Sequence, residues 1–217
     1  FGPDNWSEAQ TVVVSGVEDH FDDGSQTSTI TVASDNSTSD SKYAGLSDNL
    51  TVTTLDNDTA VVTIDNVSAL ENAGTATMTL RLTNGVSDNF TVYVSTSDGT
   101  AFEDEGDYTA LSSVPVSFTG TDNETQTVSI TLLNDPVVED NETLTLKMVS
   151  VSNSAVVITD TGTLTIADDD VASVTIADVS VSESASSADV TLVLDKYFSP
   201  GSFTVRVFTT DGTAKSS

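Results

Sequence analysis

Residues 127–151 read TVSITLLNDPVVEDNETLTLKMVSV, and they decide the fold. Apolar residues alternate with polar ones on both sides of the acidic centre, as in Val128, Ile130 and Leu132 before it. This period of two is typical of a β-strand that buries one face, and β-branched Thr and Val suit a pleated surface. The stretch therefore predicts two strands joined by an acidic loop.

The same alternation extends over the middle of the chain, where no segment shows a convincing helical period. Stretches rich in Gly, Asn, Asp and Pro separate the alternating segments, as expected for short strands and their turns. Seven such strands predict an all-β fold, a Greek-key β-sandwich. The segments are 61–67, 75–83, 90–97, 114–118, 126–133, 142–151 and 162–167.

The chain contains an internal repeat. Residues 60–101 recur at 172–214 with an offset of 112 positions, which becomes 113 after one insertion. The run Asp98-Gly99-Thr100-Ala101, for example, returns as Asp211-Gly212-Thr213-Ala214. The match is too long to arise from composition alone, so a new unit begins near residue 171.

The amino-terminal residues match the middle of the chain as well. Residues 11–23 precede their counterparts at 127–139 by 116 positions, and Asp56-Asn57-Asp58 returns as Asp168-Asp169-Asp170. We therefore predict tandem sandwich repeats, and we expect the chain to be a segment of a longer array. The predicted parts are the second half of one repeat (1–58), a complete repeat (59–170) and the first half of the next (171–217).

The charge balance excludes several classes of partner. The chain has 34 acidic and 6 basic residues, for a formal net charge of −28. Phosphate backbones and anionic membranes would be repelled, so we expect no nucleic-acid partner. No apolar run approaches the ~20 residues of a membrane span, so we expect no direct membrane insertion. Without cysteine, thiolate chemistry and disulfides are excluded.

The carboxylates of the middle repeat concentrate beside the ends of predicted strands, which can converge at one pole of a sandwich. Ionised carboxylates ~4 Å apart repel by roughly 4 kcal/mol per pair at an effective dielectric of about 20. The few basic residues cannot neutralise them, and near neutral pH a multivalent cation does so better than protons. Ca²⁺ fits, because it accepts about six to eight oxygen ligands in flexible geometry. The strand-end acids are Glu71, Asp98, Asp135, Glu139, Glu142, Asp168, Asp169 and Asp170.

These residues and their neighbours resemble the Calx-beta repeat over the full length of the middle unit. The resemblance implies an immunoglobulin-like sandwich that binds Ca²⁺ at one pole, with the strand-end acids named above as ligands. It is carried by Glu71-Asn72-Ala73-Gly74, Ser97-Asp98-Gly99-Thr100-Ala101, Asp107-Tyr108, Asn134-Asp135 with Glu139 and Glu142, and Asp168-Asp169-Asp170.

By the same alignment, the outer repeats carry only parts of the acid set. Asn57 and Gln26 stand in the first repeat where the middle repeat has Asp169 and Glu142, so the first repeat offers fewer carboxylates. Neither outer part contains a whole site. The metal-ligand prediction extends to Asp19, Asp23, Asp56 and Asp58 in the first repeat and to Glu183 and Asp211 in the third.

Plainer explanations of the acids stay open, and catalysis is not expected. The acids are also consistent with a solvated surface, and Asp and Asn stabilise tight turns by themselves. The single histidine, His20, has no Ser, Cys or second His motif nearby, so no triad is available. A glycosidase pair would need a cleft lined with aromatic residues, which make up 6% of this chain. We predict that the chain is not an enzyme.

The repeats predict a mechanical function. Asp168-Asp169-Asp170 runs directly into Val171 without a flexible Gly/Ser linker, so Ca²⁺ there would fix the angle between neighbouring repeats. We expect a stalk, adhesin or filament, secreted or on the cell surface, whose partners are neighbouring repeats, a homopolymer or a cell-surface molecule. Two alternatives stay open: a calcium-sensing regulatory domain, which high affinity would favour, and a glycan- or protein-binding adhesion module, which an aromatic cluster would mark.

Overall fold

The computed structural model describes residues 1–199 and 201–214, so residues 215–217 of the third predicted part lie outside it. Two short 3₁₀ turns, Ser41–Tyr43 and Glu71–Ala73, accompany the strands. In this part of the chain, no helix has the length and apolarity needed to cross a membrane. The strands are β1 (Gln26–Ala33), β2 (Ser47–Thr54), β3 (Val61–Ile64), β4 (Val67–Leu70), β5 (Thr75–Thr83), β6 (Phe90–Asp98), β7 (Val114–Phe118), β8 (Thr125–Thr131), β9 (Glu142–Val151), β10 (Thr161–Ala167), β11 (Val174–Ile176) and β12 (Leu192–Leu194).

The middle unit is a sandwich of two sheets. Three antiparallel strands form one sheet in the order β3-β5-β8. Five strands form the other in the order β4-β10-β9-β6-β7, in which β4 and β10 pair in parallel and the other neighbours are antiparallel. The predicted all-β class, with an immunoglobulin-like Greek-key sandwich, is confirmed.

The alternation seen in the sequence sorts side chains between the core and the solvent. In β5, Ala76, Met78, Leu80 and Leu82 point into the sandwich and are at most 2% exposed. Burying one such aliphatic side chain is worth roughly 1.5–3 kcal/mol. Among the described residues, the buried apolar core extends from Ala60 to Ile166, so it belongs to the middle unit.

The first predicted strand, 61–67, is wrong as a single element. It divides at Asp65 and Asn66 into β3 and β4, which lie in different sheets. The Asp65 N–H donates to the Thr79 carbonyl of the three-stranded sheet at 2.9 Å. The Asn66 side-chain carbonyl accepts from the Thr163 N–H of the five-stranded sheet at 2.7 Å. The crossover therefore carries the chain from one sheet to the other without losing these backbone hydrogen bonds.

Each outer part contains one two-stranded antiparallel ribbon. β1 pairs with β2, and β11 pairs with β12. Their apolar side chains are largely exposed, as shown by Val32 at 66% and Leu50 at 60%. A two-stranded ribbon has no second layer against which to bury a face, so the described residues of these parts form strand pairs without a core of their own.

Candidate metal centre

A buried glutamate anchors one pole of the middle sandwich. Glu71 begins the 3₁₀ turn after β4, and Gly74 ends that turn in the left-handed conformation at φ 71°. Although charged, Glu71 is only 7% exposed. Its Oε1 accepts the Asp135 N–H at 2.6 Å. This bond ties the end of β4 to the acidic loop, residues 134–141, which joins β8 to β9.

Three carboxylates meet beside Glu71. Asp107, Glu139 and Glu142 each place a carboxylate oxygen within 4.8 Å of the other two. Asp107 precedes the buried Tyr108, Glu139 belongs to the acidic loop, and Glu142 is the first residue of β9. The strand ends expected to converge do so here. We call Asp107, Glu139 and Glu142 the acidic trio.

A small cavity lies at the centre of this pole. Its volume is about 10 Å³, close to the space that one water-sized sphere needs. With one apolar exception, acids form its walls. It is lined by Glu71, Asp107, Glu139, Asp140, Glu142, Ile166 and Asp168.

The surroundings make ionisation at this pole unfavourable. Burial, a hydrogen bond with Asp107 and the neighbouring charges raise the pKa of Glu142 to about 8. Burial also raises the pKa of Glu139, and the charges of Asp135 and Asp107 add to the effect. The pKa of Glu71 rises mainly through burial, although the hydrogen bond from Asp135 opposes the rise. In these three groups, burial and like charge disfavour the ionised form.

The closing acids lie at the same pole but have different contacts. Asp168 Oδ1 accepts the Asp170 N–H at 3.1 Å. The Asp169 carboxylate accepts two hydrogen bonds from Asn72, one from its backbone N–H at 3.2 Å and one from its side-chain amide. Asp170 forms an ion pair with Lys196, while its second oxygen, Oδ2, is buried and has no hydrogen-bond partner among the described residues.

Asp98 takes a supporting position. It accepts the hydroxyl of Tyr108 at 2.5 Å and the Glu103 N–H at 3.4 Å. Burial and this bond raise the pKa of Tyr108 to about 12. Asp98 does not line the cavity. Its side chain holds the hydroxyl of Tyr108, the residue that follows Asp107. Sequence reasoning missed Asp107 as a site residue, although Asp107-Tyr108 was part of the resemblance.

The first repeat has an acidic hollow of its own. Asp56 accepts the Gly24 N–H at 2.8 Å and the Asp58 N–H at 2.9 Å, and these bonds lower the pKa of Asp56. Asn57 donates its amide to Glu18 Oε1 at 3.2 Å. The hollow measures about 390 Å³, far more than the cavity of the middle pole. Its acidic lining residues are Glu18, Asp19, Asp23, Asp56 and Asp58.

The third part does not assemble a comparable cluster within the described ranges. Glu183 and Asp211 are both exposed. The acidic trio of the middle repeat is the single three-carboxylate group found in those ranges. The middle pole is therefore the best candidate for a bound cation.

The donor set of this pole suits a hard cation. Carboxylate oxygens from four parts of the chain face one small space, and hard cations such as Ca²⁺ and Mg²⁺ prefer oxygen ligands. Among the described residues the one ion pair joins Lys196 to Asp170, so no protein cation balances the trio. A divalent cation would relieve the repulsion that raises these pKa values.

Comparison with known proteins finds one family model and several similar solved structures. The Calx-beta domain model matches residues 56–170 and 167–217. The crystal structure of the apo-form Calx CBD1 domain is 21% identical with a TM-score of 0.45, and the match covers 52% of this chain and 100% of that one. CBD12 from CALX1.2 is 22% identical with a TM-score of 0.45, covering 51% of this chain and 46% of that one.

The calcium binding domain CBD12 of CALX1.1 is 22% identical with a TM-score of 0.44, over 50% of this chain and 44% of that one. No curated protein matches the chain. The two segments matched by the family model together cover well over half of the chain. The chain belongs to the Calx-beta domain family.

Proposed function

We propose that this chain is a non-catalytic calcium-binding structural repeat of an extracellular or cell-surface stalk, in which Ca²⁺ stiffens the junctions between repeats. The observation that carries the proposal is the acidic trio at a cavity that Glu71 and Asp168 also line.

The number and origin of the carboxylates favour Ca²⁺ over Mg²⁺. Mg²⁺ demands near-ideal octahedral geometry and usually keeps several waters, whereas Ca²⁺ accepts more ligands in a flexible arrangement. The trio and its neighbours come from a 3₁₀ turn, two loops and the start of β9. Such a mixed set provides many oxygens without regular geometry, which matches the demands of the larger ion.

An ion at this pole would connect separate elements of the fold. Glu71 follows β4, Glu139 and Glu142 flank the start of β9, and Asp168 follows β10. The residues after Asp168 lead into Val171 and the third part of the chain. Holding these carboxylates together would therefore restrain the segment that leaves the middle sandwich, which is the mechanical role that we propose.

The calcium concentration that this role requires supports a location outside the cell as part of the proposal. Extracellular calcium modules bind with dissociation constants of about 10⁻⁴–10⁻³ M, whereas cytosolic sensors bind at about 10⁻⁷–10⁻⁵ M. A permanently stiff stalk needs a site that is filled in its ordinary surroundings. Weak affinity therefore fits the stalk, and tight affinity would favour a sensor.

Calorimetric titration of the whole chain tests this proposal. We expect Ca²⁺ binding with a dissociation constant between about 10⁻⁴ and 10⁻³ M and much weaker Mg²⁺ binding. The Glu139→Gln/Glu142→Gln double variant should lose the middle site, whereas Asp88→Asn, a change of the same charge type at an exposed position, should bind as the parent does. Equal Ca²⁺ binding by parent and double variant would reject this site.

A further inference from the structure

The acidic loop of the first repeat, residues 18–25, contacts the middle repeat through backbone atoms. The Asp22 N–H donates to the Gly85 carbonyl at 2.9 Å, and the Gly85 N–H donates to the His20 carbonyl at 2.8 Å. Phe21 and Gly85 thereby form a parallel bridge. Gly85 lies in the turn that follows β5, so a loop of one repeat docks on a turn of the next.

The acidic loop of the middle repeat contacts the third part in the same way. The Val138 N–H donates to the Tyr197 carbonyl at 2.9 Å, and the Ser199 N–H donates to the Val138 carbonyl at 3.0 Å. Val138 and Phe198 form a parallel bridge. The receiving residues, 197–199, follow β12, just as Gly85 follows β5.

The two contacts share one hydrogen bond under the sequence repeat, whereas the bridged pair itself is displaced by one residue at the second junction. Asp22 and Val138 are 116 positions apart, and Gly85 and Tyr197 are 112 positions apart. These are the offsets that relate the acidic loops and the first halves of the repeats. The donor and the acceptor of one inter-repeat hydrogen bond are therefore the same two repeat positions at both junctions.

The residue before each receiving position also reaches back to the connection between repeats. Asn84 donates its side-chain amide to the Thr59 carbonyl at 3.0 Å. Lys196, 112 positions later, forms an ion pair with Asp170. At both junctions, a side chain at this repeat position therefore holds the connecting segment. This second recurrence does not depend on the bridge.

The side chains at the bridge exchange sizes between the two junctions. A Cβ on Gly85 would lie 2.7 Å from the ring of Phe21, which is closer than real Cβ atoms approach another atom. At the second junction, the bridged residues are Val138 of the acidic loop and Phe198 of the receiving segment. A large residue thus stands opposite a small one at each junction, in opposite order.

We propose that the centre of each acidic loop is a docking surface for the next repeat, and that a parallel backbone bridge holds consecutive repeats together, with one hydrogen bond at the same two repeat positions in both junctions. The partner is another copy of the repeat in this chain. This docking contact deepens the proposed function. Only its mechanical purpose rests on that function, because the bridge hydrogen bonds join backbone atoms and use no carboxylate. A stalk built this way would have the same type of contact at every junction.

Distances between spin labels in the whole chain test the bridge, since the chain contains no cysteine that would compete for the label. Ser117→Cys with Thr191→Cys reports the second junction, and Thr29→Cys with Ser117→Cys reports the first. Val138→Pro removes the N–H that donates to Tyr197, whereas Val138→Ala keeps it. We expect Val138→Pro to broaden the 117–191 distance distribution and to leave the 29–117 distribution unchanged. Val138→Ala should change neither.

The measurement is made in chelator and in Ca²⁺, with calorimetry on the same samples. A narrow 117–191 distance in a parent that binds no Ca²⁺ would refute the calcium proposal and leave the docking contact standing. A broad distribution in the parent under both conditions would overturn the docking contact, whatever the calorimetry shows. A distribution in Val138→Pro as narrow as that of the parent would also overturn it.

Exchange of the side-chain pair tests the equivalence of the two junctions. Gly85→Phe alone should clash with Phe21 and broaden the 29–117 distribution. Adding Phe21→Val reproduces the residue types of the second junction, and we expect it to narrow the distribution again. The junctions do not share this contact if Phe21→Val fails to narrow the 29–117 distribution and Val138→Pro fails to broaden the 117–191 distribution.

Discussion

At the residue scale, Glu142 shows most clearly what the acidic pole requires. It begins β9, so the strand fixes its backbone, and its side chain makes a hydrogen bond with Asp107 at a cavity of about 10 Å³. Burial and neighbouring carboxylates disfavour its charge. The site is therefore under electrostatic stress unless a proton or a cation is bound there.

The stability of the calcium-free chain should fall as the pH rises. The pKa of Glu142 is raised to about 8 in the folded chain, so the folded state holds a proton that the unfolded state releases near pH 4.5. The stabilisation that comes from this proton on Glu142 is complete below about pH 4.5 and is lost as the pH approaches 8. The slope is at most about 1.4 kcal/mol per pH unit for one proton. Urea denaturation in chelator from pH 5 to 8 measures it, and a rise in stability with pH would contradict the assignment.

Glu142→Gln should have opposite effects with and without Ca²⁺. In chelator at pH 9, above the raised pKa of Glu142, it removes an unfavourable buried charge, so we expect a higher midpoint of thermal unfolding than in the parent. In Ca²⁺ it removes a ligand, so the variant should unfold at a lower temperature than the parent. Asp88→Asn serves as the control, with an expected change within about 0.5 kcal/mol in both conditions. The same sign of change in both conditions would argue against a cation at Glu142.

The candidate site was only partly predictable from single residues. Recurrence between repeats drew attention to Asp135, Glu139 and the closing acids, because each has a counterpart elsewhere in the chain. Asp107 lies between the two matched stretches and has no counterpart among these residues, so self-comparison gave no signal for it. Asp98 does recur, yet its carboxylate holds Tyr108. A repeat pattern does not distinguish an acid that faces the cavity from one that supports its neighbour.

At the element scale, period-two alternation predicted most strands because burial in a sandwich selects alternate positions. It failed at 61–67, where the apolar pattern continues while the hydrogen-bond partners change. β3 pairs with β5, and β4 pairs with β10. Alternation reports which side chains are buried, but it does not report which sheet a strand joins.

Close packing between the sheets should make Gly162 intolerant of a side chain. A Cβ there would lie 2.4 Å from Ile64 Cγ2 and 2.7 Å from Met78 Cε. We expect Gly162→Ala to lower the free energy of unfolding by about 1–3 kcal/mol, as overpacked cores do. Gly212→Ala is the control, because no heavy atom lies within 4 Å of the added Cβ. Denaturant unfolding compares the two, and equal stabilities would mean that β10 has more space than the structure gives it.

At the scale of the whole molecule, the repeat could be read from the sequence, whereas the contacts between repeats could not. The offsets of 112 and 116 positions identify equivalent residues. The bridges at Gly85 and at Phe198 use backbone atoms, and almost any residue type can make them. Such contacts leave little trace in composition or spacing, so they became visible only in three dimensions.

The net charge of −28 should make the calcium-free chain sensitive to salt. Self-repulsion destabilises the compact state, and monovalent salt screens it over about 10 Å at 0.1 M. We expect the thermal unfolding midpoint in chelator to rise between 0.02 and about 0.5 M NaCl. The rise should be smaller in Ca²⁺, because bound cations already reduce the repulsion. A midpoint in chelator that does not change with salt would count against charge repulsion as a major cost of folding.

The most direct test of the central claim is thermal unfolding of the whole chain in chelator and in Ca²⁺ at about one hundred times the measured dissociation constant. Binding to the folded state alone should then add about 2.7 kcal/mol of stability. We predict a clear rise in the unfolding midpoint of the middle sandwich, and we predict that the Glu139→Gln/Glu142→Gln variant loses it. Equal midpoints with and without Ca²⁺ in the parent chain would contradict the account and leave the acidic pole as surface charge.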